Sequence, residues 1–246
     1  MTSFTSRYTI VLKYSLINFK TLVSKGERII GTKNIKNVDF SDNKSESRIL
    51  QYFIRQCHKP SGFIGTIMTN IWNNSFKVMT DWGFQNIDFQ QTDYVLDVGC
   101  GGGETLNKLA NNIKKGKIYG VDISDTSVKT SLSKNYSFVK NDQLKVIQSD
   151  VSELPFESNY FDKVSAIQTH MYWAELEKGL KEIKRVLKNG GTFIMICEMD
   201  KIEYHMRKYK SSKDMMNLLK MVGYDSVEIY KNGNWIKFIC QKDLLG

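Results

Sequence analysis

The chain has 246 residues, 41% hydrophobic and 25% charged, an ordinary globular composition that suits one α/β domain and an extension. No uninterrupted apolar stretch is long enough to span a bilayer, and the scattered Cys57, Cys100, Cys197 and Cys240 lack the paired spacing of a zinc site or disulfide framework, so no metal is expected. The formal charge of +9 is concentrated near the N-terminus, where residues 1–60 carry eleven Lys and Arg against four Asp and Glu.

Residues 1–45 mix short β-prone runs with Lys, Asn and Ser and read as a basic extension. It is a solvated segment or added cap, a contact for nucleic acid or an anionic surface, or a mitochondrial transit sequence over residues 1–26, where no acid precedes Glu27. With free cysteines and no secretory pattern, the cytoplasm is the expected compartment unless that transit reading holds. Residues 46–91 read as a helical cap. Ile49, Leu50, Phe53 and Ile54 recur at helical spacing up to Pro60, as do Ile64, Ile67, Met68, Ile71 and Trp72 beyond it, and Gly83 terminates the segment.

From residue 92 to 246 the pattern changes to strands alternating with helices. Val95-Leu96-Asp97-Val98 is an apolar run ending at the glycine turn Gly99-Cys100-Gly101-Gly102-Gly103, and Leu106, Leu109, Ala110 and Ile113 then follow at helical spacing. Strand, glycine turn and helix let a nucleotide-like ligand lie against bare backbone. The register is G-x-G-x-G. A dinucleotide fingerprint requires a further glycine where this chain has Glu104, and an acid at that helix start repels a pyrophosphate. This disfavours a nicotinamide dehydrogenase.

A second strand, Lys117 to Asp122, ends in an acid at the distance expected of a ribose-binding carboxylate. A third, Lys145 to Val151, carries Asp150 at its end and leads into Leu154-Pro155-Phe156. A fourth spans Tyr160 to Ile167, and Leu187 to Ile196 reads as a helix end, a glycine turn and a fifth strand. Asp200 to Tyr209 is polar and aromatic. Ser211 then caps a helix whose buried stripe is Met215, Leu218, Leu219 and Val222, and Gly223 ends it. Ser226–Tyr230 and Trp235–Cys240 alternate as a hairpin signalled by Asn232-Gly233, with a loop of two to four residues.

The D-V-G-C-G-G-G turn, the D-V-x-x-L-P-F segment at 150–156 and the F-D-x-V strand at 161–164 together resemble class I S-adenosylmethionine-dependent methyltransferases, of the group that includes ubiquinone- and menaquinone-biosynthesis enzymes. The resemblance runs from about Thr92 to Gln241 and departs at Asn189, where the family usually has Pro. It implies a Rossmann-like, doubly wound, mostly parallel seven-stranded sheet with a C-terminal antiparallel hairpin. Its cofactor would be S-adenosyl-L-methionine and its reaction in-line methyl transfer to a small-molecule acceptor. By the same resemblance Asp97 holds the cofactor's ammonium, Asp122 the ribose hydroxyls and Asp150 the adenine amine beside the Val151 backbone. Ile123 packs on the adenine face. Gly99, Cys100, Gly101 and Gly103 line the backbone cradle, and Gln168 lines the methyl donor. His170 is the candidate proton acceptor, and Trp82, Tyr172, Trp173 and Glu198 are candidate substrate residues. An RNA or protein methyltransferase docking through the basic N-terminus, and a non-catalytic cofactor-binding module, are the alternatives.

Overall fold

The computed structural model describes residues 76–244. The basic extension, the transit segment and the cap helices expected before residue 76 lie outside these residues. A helix over 76–83 (α1) comes first. There follow β1 (Tyr94–Val98), α2 (Glu104–Asn112), β2 (Lys117–Asp122), α3 (Asp125–Lys134), α4 (Tyr136–Lys140), β3 (Leu144–Gln148) and β4 (Phe161–Ile167). After a 3₁₀ turn at His170–Tyr172 come α5 (Leu176–Val186), β5 (Leu187–Glu198), α6 (Met199–His205), α7 (Ser212–Val222), β6 (Ser226–Asn232) and β7 (Trp235–Gln241).

The seven strands form one sheet in the order β3-β2-β1-β4-β5-β7-β6. The first five are parallel; β7 runs antiparallel to β5, and β6 antiparallel to β7. Strand order reverses between β1 and β4, which opens a crevice at their C-terminal ends. Helices cover both faces, so the inner strands are apolar on both sides: Val95 and Leu96 are both 0% exposed although they point to opposite faces. One core joins Leu96, Val98 and Phe193 to the stripes of α5 and α7. The other joins Val95, Ile118, Ile194 and Ile196 to Leu106 and Leu109 of α2 and Met79 of α1. On that face Gly83 brings α1 so close to β5 that a Cβ there would stand 2.0 Å from Ile196 Cδ1.

β2 occupies the predicted residues, and α7 carries the predicted caps: the Ser211 hydroxyl accepts the Asp214 N–H at 3.0 Å, and Gly223 closes the helix with φ +98°. The hairpin takes the short option, since Asn232 pairs with Trp235. Other elements differ from expectation. The glycine turn expected at 188–191 belongs to β5, where the β4 pairing shifts register between Phe161 and Lys163 and absorbs the extra residues as a bulge. β3 stops at Gln148, which leaves Asp150 and Val151 in the following loop. The polar stretch after β5 opens with α6, whose only buried residue is Ile202.

Candidate active site at the strand ends

The glycine turn is tied to β2 because the N–H groups of Gly99 and Cys100 both donate to the Val121 carbonyl, at 2.8 and 3.0 Å. Gly99, Gly101 and Gly103 all have positive φ, at +72°, +51° and +81°. Their surroundings differ. A Cβ on Gly99 would lie 2.4 Å from the Thr169 methyl, and one on Gly103 would lie 2.3 Å from the Ser131 hydroxyl, whereas one on Gly101 would meet nothing within 4 Å. Two glycines are therefore required by packing against the protein, and the third leaves bare backbone. Cys100 is buried in the turn, where desolvation and the carboxylates of Asp97 and Asp122 push its thiol up, away from nucleophilic thiolate chemistry.

Asp97 is the penultimate residue of β1 and is 3% exposed. The Ser165 hydroxyl, opposite it on β4, donates to its Oδ1 at 2.6 Å. Burial pushes the Asp97 carboxyl up to about 7; the Ser165 hydrogen bond opposes this and the Asp122 charge adds to it. Asp122 closes β2. Its Oδ2 accepts the Gly101 N–H and its Oδ1 the Ser124 N–H, each at 2.9 Å. Ile123, the next residue, holds an apolar side chain 68% exposed. Asp150 is exposed beyond β3, and its Oδ1 accepts the Ser152 N–H at 2.8 Å. The Val151 side chain turns the other way, into the core beside Gly179 and Trp173, so only its backbone is available at the crevice.

On the far side of the switch point, Gln168 leaves β4 with φ +59°. Its N–H donates to the Ile196 carbonyl at 2.8 Å, its Oε1 accepts the Glu198 N–H at 3.1 Å, and its buried Nε2 has no partner. Glu198 pairs with Lys201 at 3.0 Å. His170 is 1% exposed, with neither ring nitrogen hydrogen-bonded. Its ring lies edge-on to Trp173 with centroids 6.3 Å apart, and burial pushes it down to about 4. Tyr172 is 59% exposed, its hydroxyl 3.4 Å from Nε2 of His205. Trp82 is half-buried against Trp235 at 5.9 Å, under the ammonium of Lys237 at 5.3 Å. Trp235 pairs with Glu198 across β5 and β7, so Trp82 joins the β4–β5 side, not the glycine turn.

The sequence-predicted residues thus fall into two linked sets. Asp97, Asp122 and the glycines form one, with the Asp150 loop attached where the Ser149 N–H meets the Asp122 carbonyl at 3.1 Å. Gln168, Glu198 and their neighbours form the other, and Thr169 joins the two by packing over Gly99. Ser165, Ser124 and Thr169 were not anticipated. Only the Ser124 position carries a local signal, a serine directly before a helix, where its hydroxyl accepts the Ser127 N–H.

Residues 96–195 match a family described as a methyltransferase domain. A crystal structure of an S-adenosylmethionine-dependent methyltransferase from Aquifex aeolicus superposes with a TM-score of 0.56 at 21% identity, covering 65% of this chain and 88% of that one. Residues 96–195 thus match a methyltransferase domain, on the fold of S-adenosylmethionine-dependent methyltransferases. Among curated relatives, the uncharacterized methyltransferase YdaC of Bacillus subtilis is 25% identical over 158 residues, 63% of this chain and 85% of the relative. The demethylmenaquinone methyltransferase of Symbiobacterium thermophilum is 32% identical over 126 residues, 51% of this chain and 47% of the relative. The match thus spans most of the first methyltransferase and about half of the second. Among the described residues no helix is long and apolar enough to cross a membrane, and no cluster of three or more His, Cys, Asp or Glu is placed to hold a metal ion.

Proposed function

We propose that this methyltransferase moves the methyl group of S-adenosylmethionine to a small-molecule acceptor, with residues 92–246 as the catalytic domain and residues 46–91 as its cap. The observation that carries the reading is a bare glycine backbone at Gly101 flanked by carboxylates at the ends of successive strands. In this reading Asp97 faces the cofactor's ammonium. Asp122 takes the two ribose hydroxyls; each of its oxygens has a second acceptor site besides the backbone N–H it already holds. Asp150 takes the adenine amine, and Ile123 covers one face of the ring. Gln168 offers its unpaired Nε2 near the methyl donor.

The bound cofactor supplies an already activated methyl on its sulfonium. The protein's share is to align the acceptor atom in line and to exclude water. His170, held neutral by burial, is a hydrogen-bonding group and a weak proton acceptor, so alignment carries most of the catalysis in this reading. Trp82, Tyr172, Trp173 and Glu198 border the acceptor. The similarity to the demethylmenaquinone enzyme supports a small acceptor over RNA or protein.

Calorimetry with S-adenosylhomocysteine tests the cofactor half. Asp122→Ala should weaken binding by roughly tenfold or more, because it removes charged hydrogen bonds to the sugar and the brace of the glycine turn. Unchanged affinity, or a co-crystal with the adenosyl group away from Asp97, Asp122 and Asp150, would overturn the assignment. RNA binding that weakens steeply with added salt would favour the docking alternative.

A further inference from the structure

The loop that carries Asp150 is held by side chains rather than by the sheet. β3 is an edge strand of the described sheet and ends at Gln148, and residues 149–160 belong to no helix or strand. The start of the loop is closed locally: the Ser149 hydroxyl donates to the Glu153 carbonyl at 3.0 Å, and the Glu153 N–H donates to the Asp150 carbonyl at 3.1 Å. Its exit is held by α5. The Leu154 N–H donates to Oε2 of Glu182 at 3.1 Å. Arg185 Nη2 donates to the Leu154 carbonyl at 3.0 Å, and Nη1 to the Phe156 carbonyl at 2.7 Å. The two side chains also hold each other, since Nε and Nη2 of Arg185 donate to the two carboxylate oxygens of Glu182, each at 2.8 Å. Leu154 is 4% exposed, so its backbone groups need these partners. Gly179 makes room for the other end of the loop, because a Cβ there would stand 3.0 Å from Val151 Cγ1. Gly179, Glu182 and Arg185 recur every three residues along one face of α5 and grip the loop from Val151 to Phe156.

We propose that Glu182 and Arg185 are positioning residues for adenine recognition: they set the 150–156 loop so that the Asp150 carboxylate and the Val151 backbone meet the edge of the base. This rests on the methyl-transfer reading above and adds to it what fixes the selectivity for the base. Asp150 is exposed, and its Oδ1 accepts the Ser152 N–H of the same loop, so the position of the carboxylate follows the position of the loop. The loop in turn follows a planar guanidinium that meets one carboxylate and two carbonyls at once. A lysine ammonium is a point charge on a flexible stem and cannot reproduce that fork. Both residues act through the loop and not on the base.

The test is calorimetry on the full chain with S-adenosylhomocysteine and with S-inosylhomocysteine, in which an oxygen replaces the exocyclic amine. The parent should bind the adenosyl compound roughly tenfold or more tightly, because the inosyl oxygen sets an acceptor against the Asp150 carboxylate. In Arg185→Lys that preference should fall to about threefold or less, with binding of the inosyl compound little changed. A brace with a merely structural role would lower the urea midpoint and leave the preference intact, and that result overturns the proposal. Where Arg185→Lys does not fold, Glu182→Gln, which keeps an oxygen for the Leu154 N–H, takes its place. A smaller loss of preference is then expected, and an unchanged preference again overturns the proposal. A parent that binds both compounds alike overturns the adenine assignment and this proposal with it, but leaves methyl transfer standing. A parent that binds neither compound overturns the methyl-transfer reading as well.

Discussion

The two sides of the strand-order reversal treat their polar groups differently. On the β1–β2 side the protein itself braces the carboxylates: Asp122 by two backbone N–H groups, Asp97 by the Ser165 hydroxyl. On the β4–β5 side Gln168 Nε2 and both nitrogens of His170 are buried without partners, whereas beside the glycine turn only the Ser131 hydroxyl is. Braced groups hold their geometry before any ligand arrives, so binding there costs little ordering. Unpaired buried groups raise the free energy of the fold and are expected at positions whose partners come from a ligand. Under the proposed function the contrast corresponds to a fixed task, gripping an adenosyl group, on one side and a substrate-specific task on the other.

The sharpest way to break this contrast is within the glycine turn. Gly103→Ala should cost about 3 kcal/mol of stability, read from a urea midpoint, because it combines a left-handed backbone with a Cβ pressed on Ser131 and Asn135. Gly101→Ala has a left-handed backbone but no clash, so it should cost only about 1 kcal/mol. Its affinity for S-adenosylhomocysteine should nevertheless fall by roughly tenfold, since its methyl occupies the open cradle. Equal losses of stability with no change in affinity would make the turn wholly structural.

Asp97 gives a test by pH. Burial pushes its carboxyl up to about 7 in the folded chain against the ordinary 3.8 in the unfolded one, so between these limits the folded state binds the extra proton. Stability therefore falls as pH rises through that window and is level above it. Asp97→Asn should remove this slope, with its advantage over the parent growing from about pH 4 to about pH 7. A cationic ammonium beside Asp97 would lower its pKa, so S-adenosylhomocysteine binding near neutral pH should release a proton in the parent and not in the variant. Calorimetry in buffers of different ionisation enthalpy reads that difference, and equal proton release would remove Asp97 from the ammonium site.

The smallest effect lies at the edge of the β4–β5 side. Lys237 is 3% exposed, donates to the Gln85 carbonyl at 3.1 Å and lies over the rings of Trp82 and Tyr230. Lys237→Met should lose about 1 kcal/mol of stability through the unpaired carbonyl and the lost cation–π contacts. Cofactor affinity should not change, and a calorimetric loss there would mean that the two sides are coupled through α1.

Much of the β1–β2 side was legible because its signals are local. An acid ends an apolar run, glycines follow, and a helical stripe begins, all within the reach of a few residues. The caps of α7 and the hairpin were legible for the same reason. The contacts of the β4–β5 side were not. Ser165 meets Asp97 only through the β1–β4 register, across 68 residues of sequence. The α6 helix buries a single residue, so it leaves no periodic stripe to detect. The β5 bulge follows from pairing with β4, and its glycines read locally as a turn.

The sequence alone determined the strand-turn-helix unit, the order of the strands along the chain and the acids at or near their C-terminal ends, because backbone preference and hydrophobic period act over a few residues. Tertiary structure decided which of those groups are braced and which are left unpaired. It buried His170, raised Asp97 and left Gly101 open, because solvation and contact depend on elements that meet only when the sheet is assembled.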